Sequence, residues 1–171
     1  LSEVGGMSWS EVDIEKAVWV IPADRAKNGK AHAVDLSPLA LEIIENQPQI
    51  GPLVFASTGE KPLNGFSRAK SRLDAAMEKQ RLEVGLPESV PSWRNHDLRR
   101  TAATGMAALG FPPHVVEKTL NHVSGVTGGL VKVYQHHDNR EERKAALLAW
   151  GRKVDSLVNS NKENNVVQLP R

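Results

Sequence analysis

The chain contains no cysteine, which removes disulfide bridges and any zinc site built on thiolates. Aromatic residues make up only 5% of it, with a single tyrosine, so a core must be assembled from Leu, Val, Ile and Ala. No apolar run approaches the ~20 residues of a membrane-spanning helix, and no basic-then-apolar secretory signal opens the chain. A large charge excess is missing too. A formal charge of +2 and a pI near 9.0 permit nucleic-acid binding through a local basic surface without demanding it. No internal repeat is present. What remains is 171 residues with 40% hydrophobic content, enough for one domain with a real core. The chain begins at Leu1 rather than at methionine, inside a helical pattern, and reads as a piece of a longer protein.

Leu1 to Trp9 resembles the end of a helix broken at Gly5-Gly6, and Ser10 to Asp13 reads as a turn. Ala17–Pro22 and His32–Leu36 are rich in strand formers, with Asn28-Gly29 between them as a two-residue hairpin signal flanked by Lys27 and Lys30. Ser37-Pro38 is a helix start that sends Leu39, Ile43 and Ile44 to the core. Leu53–Ala56 reads as a short buried strand. Phe66, Ala69, Leu73 and Met77 form a helical stripe, with Arg68, Lys70 and Arg72 away from it. Asn139–Val158 is an amphipathic helix with Leu147, Trp150, Val154 and Leu157 on one face. Residues 159–171 are polar and Asn-rich, the composition of a flexible tail.

The stretch from Ser92 to Tyr134 is the most informative. His96 and Arg99 stand at the head of a helix and project to one side, while Leu98, Ala102, Met106 and Leu109 supply the apolar stripe. Gly110 stops that helix and Pro112-Pro113 begins a shorter one. Val115, Val116, Thr119 and Leu120 pack the second helix on the first. Asn121-His122 falls at its end, and Tyr134 follows a loop containing Gly125, Gly128 and Gly129.

The order His-x-x-Arg, Leu-Asn-His, Tyr resembles the catalytic domain of the tyrosine recombinases, the phage-integrase family, over residues 1–158. The resemblance implies a mainly α (α+β) fold, a helical bundle with a small three-stranded antiparallel sheet on one edge. It also implies site-specific DNA recombination through a 3′-phosphotyrosine, with no cofactor and no metal. Tyr134 would be the nucleophile, His96 the general base, Arg99 and His122 phosphate ligands, and Lys27 the general acid. Glu3 would be the supporting acid, three residues after a first catalytic arginine that falls just before Leu1, so the fragment itself is expected to be impaired. Arg68, Lys70, Arg72, Arg94 and Arg100 would contact DNA phosphates. The implied partners are double-stranded attachment sites, other copies of the chain (a tetramer on paired sites, a monomer or dimer alone), and excision and host bending factors. The implied setting is the bacterial cytoplasm, on DNA. In this family C-terminal segments are exchanged between subunits, a role open to Val166-Val167 here.

The residue types suit that chemistry. A phosphodiester gathers negative charge on its non-bridging oxygens in the transition state, and guanidinium groups donate to it bidentately. A phenol of pKa near ~10 needs its proton managed, which an imidazole does near neutrality. Taken singly, the same residues have plainer uses. His96 and Arg99 serve as a solvated helix start, Lys27 and Lys30 as turn residues, Tyr134 as a packed aromatic, and His122 as a helix C-terminal cation. His114, His122, His136, His137 and Asp138 match no metal spacing. A type IB topoisomerase-like nicking-resealing enzyme and a non-catalytic DNA-binding integrase remnant remain the alternatives.

Overall fold

A computed structural model describes residues 1–56, 61–86, 89–121 and 139–163, the side chains from 160 onward excepted. The elements run α1 (Ser2–Gly5), a 3-10 turn (Trp9–Glu11), β1 (Val12–Asp13), β2 (Val18–Ile21), β3 (His32–Asp35), α2 (Pro38–Glu45), α3 (Phe66–Glu83), α4 (Asn95–Ala108), α5 (Pro113–Thr119) and α6 (Arg140–Glu163). The strands form one antiparallel sheet in the order β1-β2-β3, with Val12 opposite Trp19 and Val18 opposite Asp35. A mainly helical chain with a small three-stranded antiparallel sheet is thus the observed architecture.

Two buried clusters hold it. Period-two alternation in β2 sends Trp19 and Ile21 inward and leaves Val20 exposed. Met7, Ala26, Leu36, Ile44 and Val54 close around them. The second cluster joins Met106 of α4, Val115 and Val116 of α5 and Ala146 of α6, flanked by Phe111 and Trp150. α6 contacts α2, α4, α5 and β3, so it links both clusters.

Local sequence explains the helix ends. Ser37 Oγ accepts from Ala40 N–H at 3.3 Å, with Pro38 in the first turn of α2. α4 stops at Gly110, whose φ of +91° suits glycine, and Phe111 N–H donates to Met106 O at 3.2 Å. That is the Schellman pattern of a helix terminus. α5 ends on Asn121, at φ +50°, whose N–H donates to Lys118 O at 3.0 Å.

Several expectations need correction. Asn28-Gly29 does not close a two-residue hairpin: Ile21 pairs with His32, so the connection spans residues 22–31. Pro22 O accepts from Arg25 and Ala26, Ala26 is buried, and only Gly29 of the Asn-Gly pair has positive φ. The anticipated turn over Ser10–Asp13 contains β1, and Leu53–Ala56 contributes one isolated bridge, Ser8 to Leu53. Ile43, Leu98, Leu109 and Leu157 are exposed. α4 instead packs through Ala102, Ala103 and Met106. The stripe on α3 buries no residue, and Leu73 is half exposed. Phe66 lies against Gly5, but the remaining positions, one of them alanine, offer too little area among so many charges to draw a neighbour over them. α6 continues past Val158 to Glu163.

Two glycines set how α6 seats. A Cβ on Gly105 would lie 2.1 Å from the Trp150 ring, and one on Gly151 would lie 2.3 Å from Ser37 Cβ. Gly105→Ala gains about 1 kcal/mol of helix propensity, but the indole is held between α4 and α6. The overpacking cost of about 1–3 kcal/mol or more is expected to prevail and lower the urea midpoint. A raised midpoint would show that the ring relaxes freely.

Candidate active site

The first two turns of α4 present His96 and Arg99 to one cleft, and Arg94 N–H donates to Asp97 Oδ2 at 2.8 Å to cap the helix start. Arg99 Nη2 donates to the carbonyl of Leu120, the last residue before Asn121. The guanidinium is therefore tied to the end of α5, beside the chain position that leads to His122. Across the cleft stands the 22–31 connection. Lys27 is exposed on it, and its Nζ forms no ion pair among the described residues. Lys27 N–H faces Glu3 Oε1 at 3.3 Å, and Asn28 Nδ2 donates to Asn121 Oδ1 at 2.8 Å. Glu3, Lys27, His96 and Arg99, drawn from α1, the β2–β3 connection and α4, thus line one cavity of about 770 Å³. His122 and Tyr134, the Gly-rich loop between them, and Val166-Val167 lie outside the described residues.

One wall holds a residue that sequence reading passed over. Arg25 Nη1 is bonded to both Glu11 carboxylate oxygens, and its Nη2 donates to Glu3 O at 2.7 Å. Glu11 also accepts from Trp19 Nε1 at 3.0 Å and from Ser8 N–H at 3.3 Å. The one available signal was a second basic residue just before Lys27, and nothing linked it to Glu11. Burial pushes the Glu11 carboxyl up. The Trp19 indole, the Arg25 guanidinium and the Ser8 N–H together outweigh that and hold it below its ordinary 4.5.

A depressed carboxyl pKa stabilises the fold above the unfolded value, and the contribution disappears as pH falls through the folded one. Glu11→Gln is therefore expected to unfold at lower urea than the parent chain at pH 7, with the gap narrowing below about pH 4. Denaturation midpoints across a pH series check this. Equal midpoints at pH 7 would remove the carboxylate from the fold's support.

The five basic residues assigned to DNA are spread more widely. Arg94 and Arg100 are exposed near the head of α4, and Arg100 pairs with Asp97 at 3.5 Å. Arg68 and Arg72 are exposed on α3. Lys70 is half-buried, 2.6 Å from Asp74 Oδ2 and 4.4 Å from the Trp93 ring centroid, a cation–π contact.

Comparison with known proteins decides the kinship. Residues 1–141 match the phage integrase family. The chain belongs to that family. In this phage integrase family chain, 154 residues are 30% identical to the prophage integrase IntA of Escherichia coli (strain K12), covering 87% of the chain and 34% of that protein. The integrase of Shigella phage Sf6 is 24% identical over 91% of the chain and 38% of its own length. The prophage integrase IntZ of Escherichia coli (strain K12) is 27% identical over 90% of the chain and 36% of its own length. The chain therefore spans about a third of the curated relatives it matches. No solved structure gives a significant match. No described helix is long and apolar enough to cross a membrane.

Proposed function

We propose that this domain cuts and rejoins duplex DNA at attachment sites of a prophage or genomic island, through a covalent 3′-phosphotyrosine. The observation that carries the reading is the meeting of Lys27, His96 and Arg99, from separate elements, in one cleft beside Glu3. Tyr134 Oη attacks the phosphorus and its proton passes to His96. The bond from phosphorus to the 5′-oxygen breaks, and Lys27 protonates that leaving oxygen. Arg99 and His122 stabilise the charge on the non-bridging oxygens. A 5′-hydroxyl from a second duplex reverses the step and completes strand exchange, with no metal and no external energy source.

Leu1 and Ser2 also line the cleft. We propose that the native residue preceding Leu1 is the second arginine of the clamp, within reach of the same phosphate. A chain lacking that group should cleave slower by about 10²–10³-fold, the usual cost of one preorganised donor. On this reading the protein works on DNA in the bacterial cytoplasm, as a tetramer on paired sites and a monomer or dimer alone. Arg68, Lys70, Arg72, Arg94 and Arg100 position the duplex through its phosphates, with excision and host bending factors as further partners.

The test uses the chain extended upstream through its native sequence, incubated with a nicked attachment-site duplex that loses its 5′-hydroxyl on cleavage. A covalent protein–DNA adduct is expected, and joining of two marked duplexes should follow on intact sites. Adducts with relaxation of supercoils but no joining would favour a topoisomerase-like enzyme. Binding without any adduct on a verified site would favour a DNA-binding remnant.

A further inference from the structure

Asn28 and Asn121 both line the cleft, and their side chains bond the β2–β3 connection to the end of α5. The polarity of that bond is set from the Asn28 side. Lys30 N–H donates to Asn28 Oδ1 at 3.1 Å, so the Asn28 amide must offer its Nδ2 to Asn121. Asn121 is at φ +50°, the left-handed region that asparagine tolerates better than other residues bearing a Cβ. Glycine would serve the backbone there equally well but would bring no amide. The asparagine thus supplies something beyond the turn. The same helix end is fixed to α4 by the bond from Arg99 to Leu120 O. The connection is therefore fastened, through Asn28, to the framework that carries Arg99 and leads to His122.

We infer that Asn121 and Asn28 form a latch that positions Lys27 over the phosphate held by Arg99. Both are positioning residues: they act through the backbone on either side of Lys27 and do not touch the reacting atoms. The connection's other side-chain ties run from Arg25 to Glu3 O and to the Glu11 carboxylate and from Lys27 N–H to Glu3 Oε1, so they lead to α1 and the 3-10 turn. The amide pair couples it to the α4–α5 side, so losing that pair loosens Lys27 from that side while the ties to α1 and Glu11 keep the connection on the domain. The inference rests on the recombinase reading for the role of Lys27, and on the hydrogen bond alone for the latch.

Asn121→Gly keeps the backbone conformation and removes the amide. In the DNA-free protein, amide hydrogen exchange over residues 22–31 is expected to rise by about two- to tenfold, the factor a hydrogen bond of ordinary net strength maintains. In single-turnover cleavage of the nicked duplex, the rate on an ordinary phosphodiester should fall by a similar factor. The rate on a duplex with sulfur at the 5′-bridging position should stay at the parent value, because a thiolate leaves without a proton from Lys27. Adding Asn28→Ala should lower the oxygen-to-sulfur rate ratio no further, as two halves of one contact behave. Unchanged exchange in Asn121→Gly would overturn the latch. Equal slowing on both substrates would overturn the link to Lys27 and assign Asn121 to holding His122 or the phosphate. If the parent chain forms no adduct on a verified site, the recombinase reading falls and the positioning role with it, while the exchange result still reports whether the latch exists.

Discussion

Tyr134→Phe is expected to fold, to bind attachment-site duplex as the parent chain does, and to form no covalent adduct at all. The substitution removes one hydroxyl, and the chain has no second tyrosine to take its place. Without an oxygen nucleophile there is no acceptor for the phosphoryl group, so the loss is one of kind and should fall below detection rather than by a finite factor. Denaturing electrophoresis of labelled duplex gives the adduct yield, and mass spectrometry of the parent adduct should locate the nucleotide on Tyr134. Residual adduct in the Phe variant would transfer the nucleophile to another side chain. Weakened DNA binding would instead give the phenol a role in holding the duplex.

Lys27→Ala is expected to slow cleavage of an ordinary phosphodiester by about 10²–10⁴-fold, the range general acid catalysis supplies. The 5′-bridging sulfur substrate should largely restore the rate. Stability should change little, since the side chain is exposed and its Nζ forms no ion pair among the described residues, while the bond to Glu3 uses the backbone N–H that alanine keeps. This pairing of a large kinetic defect with an intact fold distinguishes a proton donor from a solvated turn residue. A defect of the same size on both substrates, with normal DNA affinity, would return Lys27 to the turn.

Sequence reading gave the local elements that short motifs mark. His96 and Arg99 fall on the first two turns of α4, Gly110 ends that helix, and Ser37-Pro38 opens α2, because each depends on neighbours within a few residues. The β2–β3 connection was misread for the opposite reason. Asn-Gly is a local hairpin signal, but Ala26 is drawn into the core and Arg25 is claimed by Glu11, which together widen the turn. Neither partner is near in sequence. The stripe on α3 failed because periodicity reports which residues share a face, not whether anything covers it. The amide pair of Asn28 and Asn121 carries no periodic or compositional mark and was legible only once the two chain segments met.

On the proposed function, the bond from Arg25 to Glu11 also bears on how the domain would meet the ionic atmosphere of DNA. A duplex sheds condensed counterions for each phosphate that a protein cation neutralises, and affinity then falls with salt by roughly 0.9 log units per log unit for each such contact. Arg25 reaches the cleft wall with its charge already matched by a carboxylate. It would therefore add almost nothing to the salt slope. Arg99 and Lys27, which face no carboxylate in an ion pair among the described residues, are the cleft cations whose engagement would displace counterions. The cleft is thus electrostatically sparer than its count of basic side chains implies, and nonspecific duplex should be held there less tightly than three free cations would hold it.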